Sequence, residues 1–255
     1  MAFQPPYALY FNGENSYAVI SPQPPQLAGA KVGSVMAWVY PMLPYDINGN
    51  STFWGVVGKE WNGDWELMYG WDRIYFDINY TDNTRTILDL GFHGYTPNTW
   101  GFLAVVWDVP SGVIYGYNSW TNQWPSTSVD TTKTPRNTVN AVYIGQNEGR
   151  NWFKGYIYEV LIYDRALTRD EILYNFNNPD NPVRDGLIVW LKADPSTVKG
   201  NTWVDLSGNG NNATLYNAQL IQLAPSIPWF WVGIGAEAAV ATGIGLWMAH
   251  SRGLI

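Results

Sequence analysis

The sequence contains no cysteine, and this absence excludes disulfide bonds, thiol catalysis and cysteine-ligated metals. Charged residues are also scarce, at 14% of the chain, and the formal net charge is −7. A nucleic-acid-binding surface needs clustered lysine and arginine, and the sequence has no such cluster. The composition therefore argues against DNA, RNA and anionic lipid surfaces as partners.

Residue patterns for catalysis are missing as well. The two histidines, His93 and His250, lie in no recognisable nucleophile motif. Glycosidases need paired carboxylates on one face, and no Glu-x-Asp followed closely by Glu occurs. Glu159 and Asp164 are five residues apart, which places them on opposite faces of a straight strand. We therefore expect a protein that is not an enzyme.

Aromatic residues are abundant, with 15 Trp, 17 Tyr and 9 Phe to fill a core. The first ~165 residues show short β-type segments separated by Asn-Gly, Gly-Asp, Asp-Asn and Pro turns, with no helical periodicity between them. This spacing predicts a sandwich or barrel. The predicted strands cover residues 8–11, 17–21, 33–40, 53–59, 65–70, 74–78, 86–90, 100–107, 113–117, 141–144 and 156–163.

One helix is predicted after these strands. Thr168 and Glu171 form a capping box, and Ile172, Leu173 and Phe176 continue it as an apolar stripe. A linker at residues 180–184 follows. A second β-type unit then begins, with the segment GLIVWLKAD and the turn-rich DLSGNGNNAT.

Four segments resemble the laminin G-like, concanavalin A-like lectin/glucanase jelly roll, and they occur in the order of that family. The resemblance implies an all-β fold of two antiparallel sheets packed face to face, with one short helix. It extends over nearly all of residues 7–177. The segments are ALYFNG with YAV at 8–19, VMAWVYP at 35–41, TWGFLAVVWD at 99–108 and FKGYIYEVLIYDRAL at 153–167.

Residues 185–218 resemble the opening of such a domain, although they come last. Either a second domain begins here, or the domain is circularly permuted. Fewer than ~45 residues remain before the hydrophobic tail, too few for another sandwich, so we favour permutation. Permutation predicts that residues 187–191 pair beside residues 156–163. The sandwich then covers residues 1–217, with its main body at 7–177 and the permuted strands at 185–217.

Many members of this family bind calcium, and one loop is rich in the oxygen atoms that this ion requires. The candidate ligands are Asp205, Asn209 and Asn211. The alternative is a tight Asn-Gly turn that closes a hairpin without any ion. Asn12 and Ser16 stand where the family pattern FDG-x-x-D-Y has carboxylates, which weakens a calcium site.

Tryptophan rings can stack on sugars, while neighbouring amides and carboxylates bond the hydroxyls. The loop that contains Trp120 and Trp124 is the most polar, and it is our first choice for a carbohydrate-binding surface. The alternative is that large aromatic side chains fill the core, as we expect for Trp38 and Trp107. The full set of candidates is Trp61, Trp65, Trp71, Trp120 and Trp124.

Residues 227–250, IPWFWVGIGAEAAVATGIGLWMAH, are predicted to form a single transmembrane helix after a linker at 218–226. At 1.5 Å per residue, a helix of this length crosses a hydrocarbon layer of about 30 Å. Tryptophans stand near both ends, as in interfacial aromatic belts. The alternative is a core helix of a soluble domain. A short tail, residues 251–255, follows.

The predicted span also has features of a helix–helix interface. Glu237 near its centre costs roughly 2.5–3.5 kcal/mol on insertion scales, which favours a partner for it. Two rows of small residues would allow close packing on a second copy or another membrane protein. The alternative is that these residues have no partner. The rows contain Gly233, Glu237, Ala241 and Gly245, and Gly235, Ala239 and Gly243.

The sequence therefore predicts a non-enzymatic, membrane-anchored surface protein for adhesion, attachment or envelope or virion structure. Arg252 after the span favours an orientation with the large domain exposed outside the cell or virion, whereas the N-terminus shows no signal-peptide pattern, which does not fit such an exposed domain well. Expected partners are the membrane, further copies of the chain or other envelope proteins. The alternatives are a carbohydrate-binding module of a cell-surface glycan system, and a scaffold subunit of a membrane complex.

Overall fold

The computed structural model describes residues 3–42, 53–59, 63–70, 73–92, 94–147, 149 and 151–223. These residues contain one helix, α1 at Arg169–Asn177, a 3-10 turn at Pro25–Leu27 and short strands. The strands are β1 Tyr7–Asn12, β2 Tyr17–Ile20, β3 Val32–Pro41, β4 Phe53–Gly58, β5 Trp65–Gly70, β6 Arg73–Asn79, β7 Arg85–Phe92, β8 Gly101–Asp108, β9 Val113–Asn118, β10 Ser126–Ser128, β11 Val142–Ile144, β12 Gln146–Asn147, β13 Asn151–Trp152, β14 Lys154–Tyr163, β15 Leu187–Lys192, β16 Val198–Lys199, β17 Thr202–Trp203, β18 Ala213–Tyr216 and β19 Gln219–Gln222.

Seventeen of the strands in the described residues form two large antiparallel sheets, and β12 and β13 pair with each other as a separate two-stranded sheet. The first sheet has eight strands in the order β10-β9-β8-β3-β14-β1-β19, with β15 as a further neighbour of β14. The second sheet has nine strands in the order β16-β17-β18-β2-β11-β4-β5-β6-β7. The prediction of an all-β, two-sheet antiparallel sandwich with one short helix is confirmed for the described residues.

The core lies between the two sheets because alternate residues of each strand point inward. Trp107 of β8 is fully buried, and its ring lies 5.3 Å from Trp65 and 5.6 Å from Phe76 in the second sheet. The residues of β8 that alternate with Trp107 point away from this core. Phe102 is one of them, and Trp38 is its partner on β3. We call this opposite side the outer face of the first sheet.

Helix α1 covers part of that outer face. The predicted capping box is present: the Thr168 hydroxyl accepts from the Glu171 N–H at 3.3 Å, and the Glu171 carboxylate accepts from the Thr168 N–H at 2.8 Å. Arg165 also pairs with this carboxylate and lowers the pKa of Glu171 to about 2. At the other end of the helix, Phe176 stacks 5.3 Å from Trp38.

Strand β14 is the central strand of the first sheet, and three strands pair with it. One edge pairs with β3, while β1 and β15 share the other edge, with β1 at Leu9↔Ile157 and β15 from Glu159↔Lys192 to Tyr163↔Leu187. The predicted pairing of residues 187–191 beside residues 156–163 is therefore confirmed. Circular permutation itself stays a prediction.

The described residues, which lie between positions 3 and 223, belong to one compact unit. The predicted transmembrane helix at 227–250 and its rows of small residues lie outside the described residues. In the part of the chain that the structure describes, no helix is both long enough and apolar enough to cross a membrane.

Candidate functional site

Four aromatic side chains form a row across the outer face of the first sheet. Tyr10 of β1 is paired with Tyr156 of β14, and Tyr156 is paired with Tyr40 of β3. The ring centroids in these two pairs are 5.3 Å and 5.7 Å apart. Trp100, just before β8, continues the row at 5.5 Å from Tyr40. All four side chains are half-buried, so this aromatic row keeps part of its surface exposed.

A groove of about 580 Å³ lies at the Trp100 end of the aromatic row. The N-terminal segment, the end of β3, the turn before β8, the turn after β9 and the end of α1 surround it. Because these five segments are separated in the sequence, the groove exists only in the folded chain. Its described lining residues are Phe3, Gln4, Trp38, Tyr40, Asn98, Thr99, Trp100, Ser119, Phe176, Asn177 and Pro179.

Trp38 forms the fixed floor of the groove. Its indole is held between Phe3, with ring centroids 3.8 Å apart, and Phe176, at 5.3 Å. Only 3% of Trp38 is exposed, so it is buried as predicted, although it is covered on the outer face by Phe3 and Phe176 and does not lie between the sheets. The partly exposed aromatic surface of the groove belongs to Tyr40 and Trp100, and also to the half-buried Phe3 and Phe176 that hold Trp38.

Exposed amides stand at the rim of the groove. Gln4, Asn98 and Asn177 are all exposed, and each offers an N–H donor and a carbonyl acceptor. The Asn177 side chain donates to the Leu173 carbonyl at 2.7 Å, which orients its own oxygen away from that bond. The rim therefore presents oriented hydrogen-bonding groups next to aromatic faces.

None of the described residues that line the groove carries a charge. Ligand sites commonly combine apolar walls with a few placed polar groups that fix orientation. Aromatic rings match the apolar faces of sugar rings, and amides bond hydroxyl groups. The arrangement is suited to an uncharged, polyhydroxylated ligand.

Trp120, a predicted sugar-stacking residue, supports the groove from beside it. Its Nε1–H donates to Oγ1 of Thr99 at 2.9 Å, and the Thr99 hydroxyl donates to the Thr96 carbonyl at 2.7 Å. The indole covers Gly101, where a Cβ atom would lie only 2.2 Å from Cε2 of Trp120. Trp120 is thus placed to hold Thr99 at the rim.

Trp124, the other first-choice residue, is half-buried on the outer face beside α1. Its ring lies 4.6 Å from Tyr117, and the Arg169 guanidinium lies 5.1 Å from its centroid. Tyr117 in turn contacts Phe176, which lines the groove. Trp124 is therefore separated from the groove by one layer of aromatic rings.

The prediction for Trp65 is corrected. Trp65 is 2% exposed and packs between the sheets against Trp107 and Phe76, so no face remains for a sugar. The predicted strand at 65–70 is present as β5, and alternation along it turns Trp65 inward. Two further candidates, Trp61 and Trp71, lie outside the described residues.

The predicted calcium loop is closed by its own hydrogen bonds. The Asp205 carboxylate accepts from the N–H groups of Trp190, Ser207 and Asn211 at 2.9 Å each, and from the Ser207 hydroxyl at 2.8 Å. Asn209 and Asn211 donate their side-chain amides to carbonyls of β15. Nowhere in the described ranges do three or more His, Asp or Glu residues gather as metal ligands. These contacts favour the alternative of a structural turn.

Buried carboxylates on the second sheet were missed by the sequence reasoning. Glu66 of β5 and Asp77 of β6 are direct cross-strand partners, and both are buried. Burial raises the pKa of Asp77 to about 7, although Nη1 of Arg85 lies 3.9 Å from its Oδ2. On the first sheet, Glu159 is buried and accepts from Nε1 of Trp190 at 2.8 Å, so this carboxylate holds a core side chain in place.

Comparison with known proteins identifies the fold family. The family described as the concanavalin A-like lectin/glucanases superfamily matches residues 12–173. No sequence among the curated proteins matches the chain.

Solved structures give the same fold at low sequence identity. A Bacteroides ovatus protein, described as a candidate carbohydrate-binding protein, aligns with a TM-score of 0.65 at 19% identity, over 87% of this chain and 61% of its own. The binding domain of Botulinum Neurotoxin DC in complex with SialylT aligns with a TM-score of 0.51 at 12% identity, over 69% of this chain and 43% of its own. The CBM40 of the Ruminococcus gnavus IT-sialidase, bound to α2,3 sialyllactose, aligns with a TM-score of 0.50 at 13% sequence identity. The alignment covers 66% of this chain and 94% of the CBM40 chain. This chain thus spans about 61% of the first of these proteins and less than half of the second.

Proposed function

We propose that this chain, which belongs to the concanavalin A-like lectin/glucanase superfamily, is a non-enzymatic carbohydrate-binding protein. Its binding site is the groove beside Trp100. The observation that carries the proposal is the combination of exposed aromatic surface on Tyr40 and Trp100 with exposed rim amides. The names of the structural relatives, which mention carbohydrate binding and sialyllactose, support a lectin-like role in general terms.

The proposal predicts that the wild-type protein binds a glycan and that Trp100→Ala removes most of this binding. A glycan array identifies that glycan, and titration calorimetry measures its dissociation constant. We expect affinity to fall by about tenfold or more, equivalent to at least about 1.4 kcal/mol, because a central aromatic contact is lost. Thermal unfolding of the variant verifies that it folds.

Tyr216→Ala is the matched control for this experiment. Tyr216 is 44% exposed and stacks on Tyr17 in the second sheet, away from the groove. Its removal should leave the affinity within about twofold of wild type. Equal binding by wild type and Trp100→Ala, or the absence of any retained glycan, contradicts the proposal.

We also propose that residues 227–250 attach the sandwich to a membrane and pack on a partner there. The length and apolar character of this segment support the proposal. The full chain should stay with membranes after alkaline carbonate extraction, and its release into the supernatant would contradict anchoring. Co-purification in fixed stoichiometry with membrane proteins, without glycan binding, would favour the scaffold role instead.

A further inference from the structure

We infer that the groove is one end of a longer site, and that the ligand is an uncharged glycan chain that lies across the strands along the aromatic row. The inference rests on the proposed function. It adds two properties of the ligand, its length and its neutral charge, which the groove alone does not specify.

The register of the strands supports an extended ligand. Tyr10, Tyr156 and Tyr40 are consecutive cross-strand partners, so their rings follow one line perpendicular to β1, β14 and β3. With strands about 4.8 Å apart, a row that continues to Trp100 extends for about 15 Å, longer than one sugar ring needs. The aromatic row therefore offers several successive stacking positions.

Both ends of the row carry exposed amides. At the far end, Gln219 of β19 is exposed and is the direct cross-strand partner of Tyr10. At the groove end, Asn98 and Asn177 are exposed. Since a chain-like ligand has hydroxyl groups along its length, it can hydrogen-bond at both ends while its rings stack between them.

The charge of the site points to a neutral ligand. The described groove lining contains no charged residue. Burial first, then the neighbouring Tyr10 and Tyr40, raises the pKa of Tyr156, and its hydroxyl is neutral near pH 7 with or without this shift. The cation closest along the strand is Lys154, two residues before Tyr156, and its stem packs against Gly13. A sialylated ligand normally requires a cation in contact with its carboxylate. Within the described groove lining, no residue can supply that contact.

The test measures the affinity of the protein for uncharged oligosaccharides of increasing length and for sialyllactose. The oligosaccharides are taken from a neutral polysaccharide that the protein binds on a glycan array. Affinity should rise by about tenfold or more from the disaccharide to the longer oligosaccharides. Tyr156→Ala should remove most of that gain, so that the affinity for the longer oligosaccharides falls by a larger factor than the affinity for the disaccharide. Tyr156→Phe, which keeps the ring, should behave as wild type.

A second variant guards against misfolding of the first, because Tyr156 lies mid-sheet. Tyr10→Ala, at the end of the row, should also reduce the affinity for long oligosaccharides by a larger factor than the affinity for the disaccharide. Affinity that is independent of chain length and of both tyrosines overturns the inference but leaves the proposed function in place. Preferred binding of sialyllactose, lost in Lys154→Ala, also overturns it. If no glycan binds, the proposed function itself fails.

Discussion

The outer faces of the two sheets differ in what they carry. The first sheet presents half-buried aromatic rings and amides, whereas the second sheet carries the buried carboxylates of Glu66 and Asp77. A partly exposed aromatic ring is normal on a protein surface, and its exposed part can contact a ligand. A buried carboxylate must be neutralised or paired. This difference supports our proposal that the first face binds the ligand, whereas we expect the charges of the second face to affect stability.

The largest expected effect comes from the buried ion pair of Lys59 and Asp64 at the β4–β5 connection of the second sheet. Both side chains are almost completely buried, and Asp64 also accepts from the Thr138 N–H at 2.8 Å. Asp64→Ala would leave Lys59 buried without its partner, so we expect a loss of about 3–5 kcal/mol in the free energy of unfolding. Urea denaturation measures this loss.

The control replaces both partners with apolar residues, as Lys59→Met together with Asp64→Leu. Because no unpaired charge then remains, this double variant should lose much less stability than Asp64→Ala. A single variant within about 1 kcal/mol of wild type would show that the pair contributes little.

A second effect concerns the pH dependence of stability. Burial raises the pKa of Asp77 from 3.8 to about 7, so the folded state holds a proton that the unfolded state releases. This contribution is fully present below about pH 4 and is lost as pH rises through about 7, with a size of about 4 kcal/mol. Asp77→Asn should therefore be more stable relative to wild type at about pH 8 than at about pH 5.

Chemical denaturation of both proteins at the two pH values measures this difference. Asp89→Asn serves as the control, because Asp89 is exposed on the neighbouring strand and pairs with Arg73. It should keep the pH dependence of wild type. If Asp77→Asn shows the same pH dependence as wild type, Asp77 is ionised in the folded protein and our explanation is wrong.

The smallest effect concerns the helix that borders the groove on the first sheet. Thr168→Ala removes the capping hydroxyl of α1 and should cost about 1 kcal/mol of stability, while Thr168→Ser should cost less. Glycan affinity below the unfolding temperature should stay unchanged, since Thr168 is at the opposite end of α1 from Phe176. Thermal unfolding and calorimetry measure the two quantities. A strong loss of affinity would show that the whole helix, and not only its last turn, shapes the groove.

Local signals in the sequence predicted much of the fold. The capping box at Thr168 and Glu171 depends on residues only three positions apart. Most strands could be predicted from their own residue composition and from the turn residues between them. The pairing of β15 with β14 followed from a family resemblance. The very short strands, such as β12 and β13, were missed because two residues carry no periodic signal.

The site was harder to predict because it depends on register. Tyr10, Tyr40 and Tyr156 are far apart in the sequence and meet only because three strands pair in one alignment. Trp65 and Trp100 both stand among polar residues, yet the former is in the core and the latter in the groove. Which face a side chain occupies is decided by the sheet pairing, which sequence alone does not specify.

The most direct test of the central claim is a crystal structure of the chain with a neutral oligosaccharide that it retains on an array. We predict that sugar rings stack on Trp100 and Tyr40, and that the oligosaccharide continues toward Tyr156 across the outer face of the first sheet. Sugar bound on the second sheet beside Glu66 and Asp77, with an empty groove, would contradict the account.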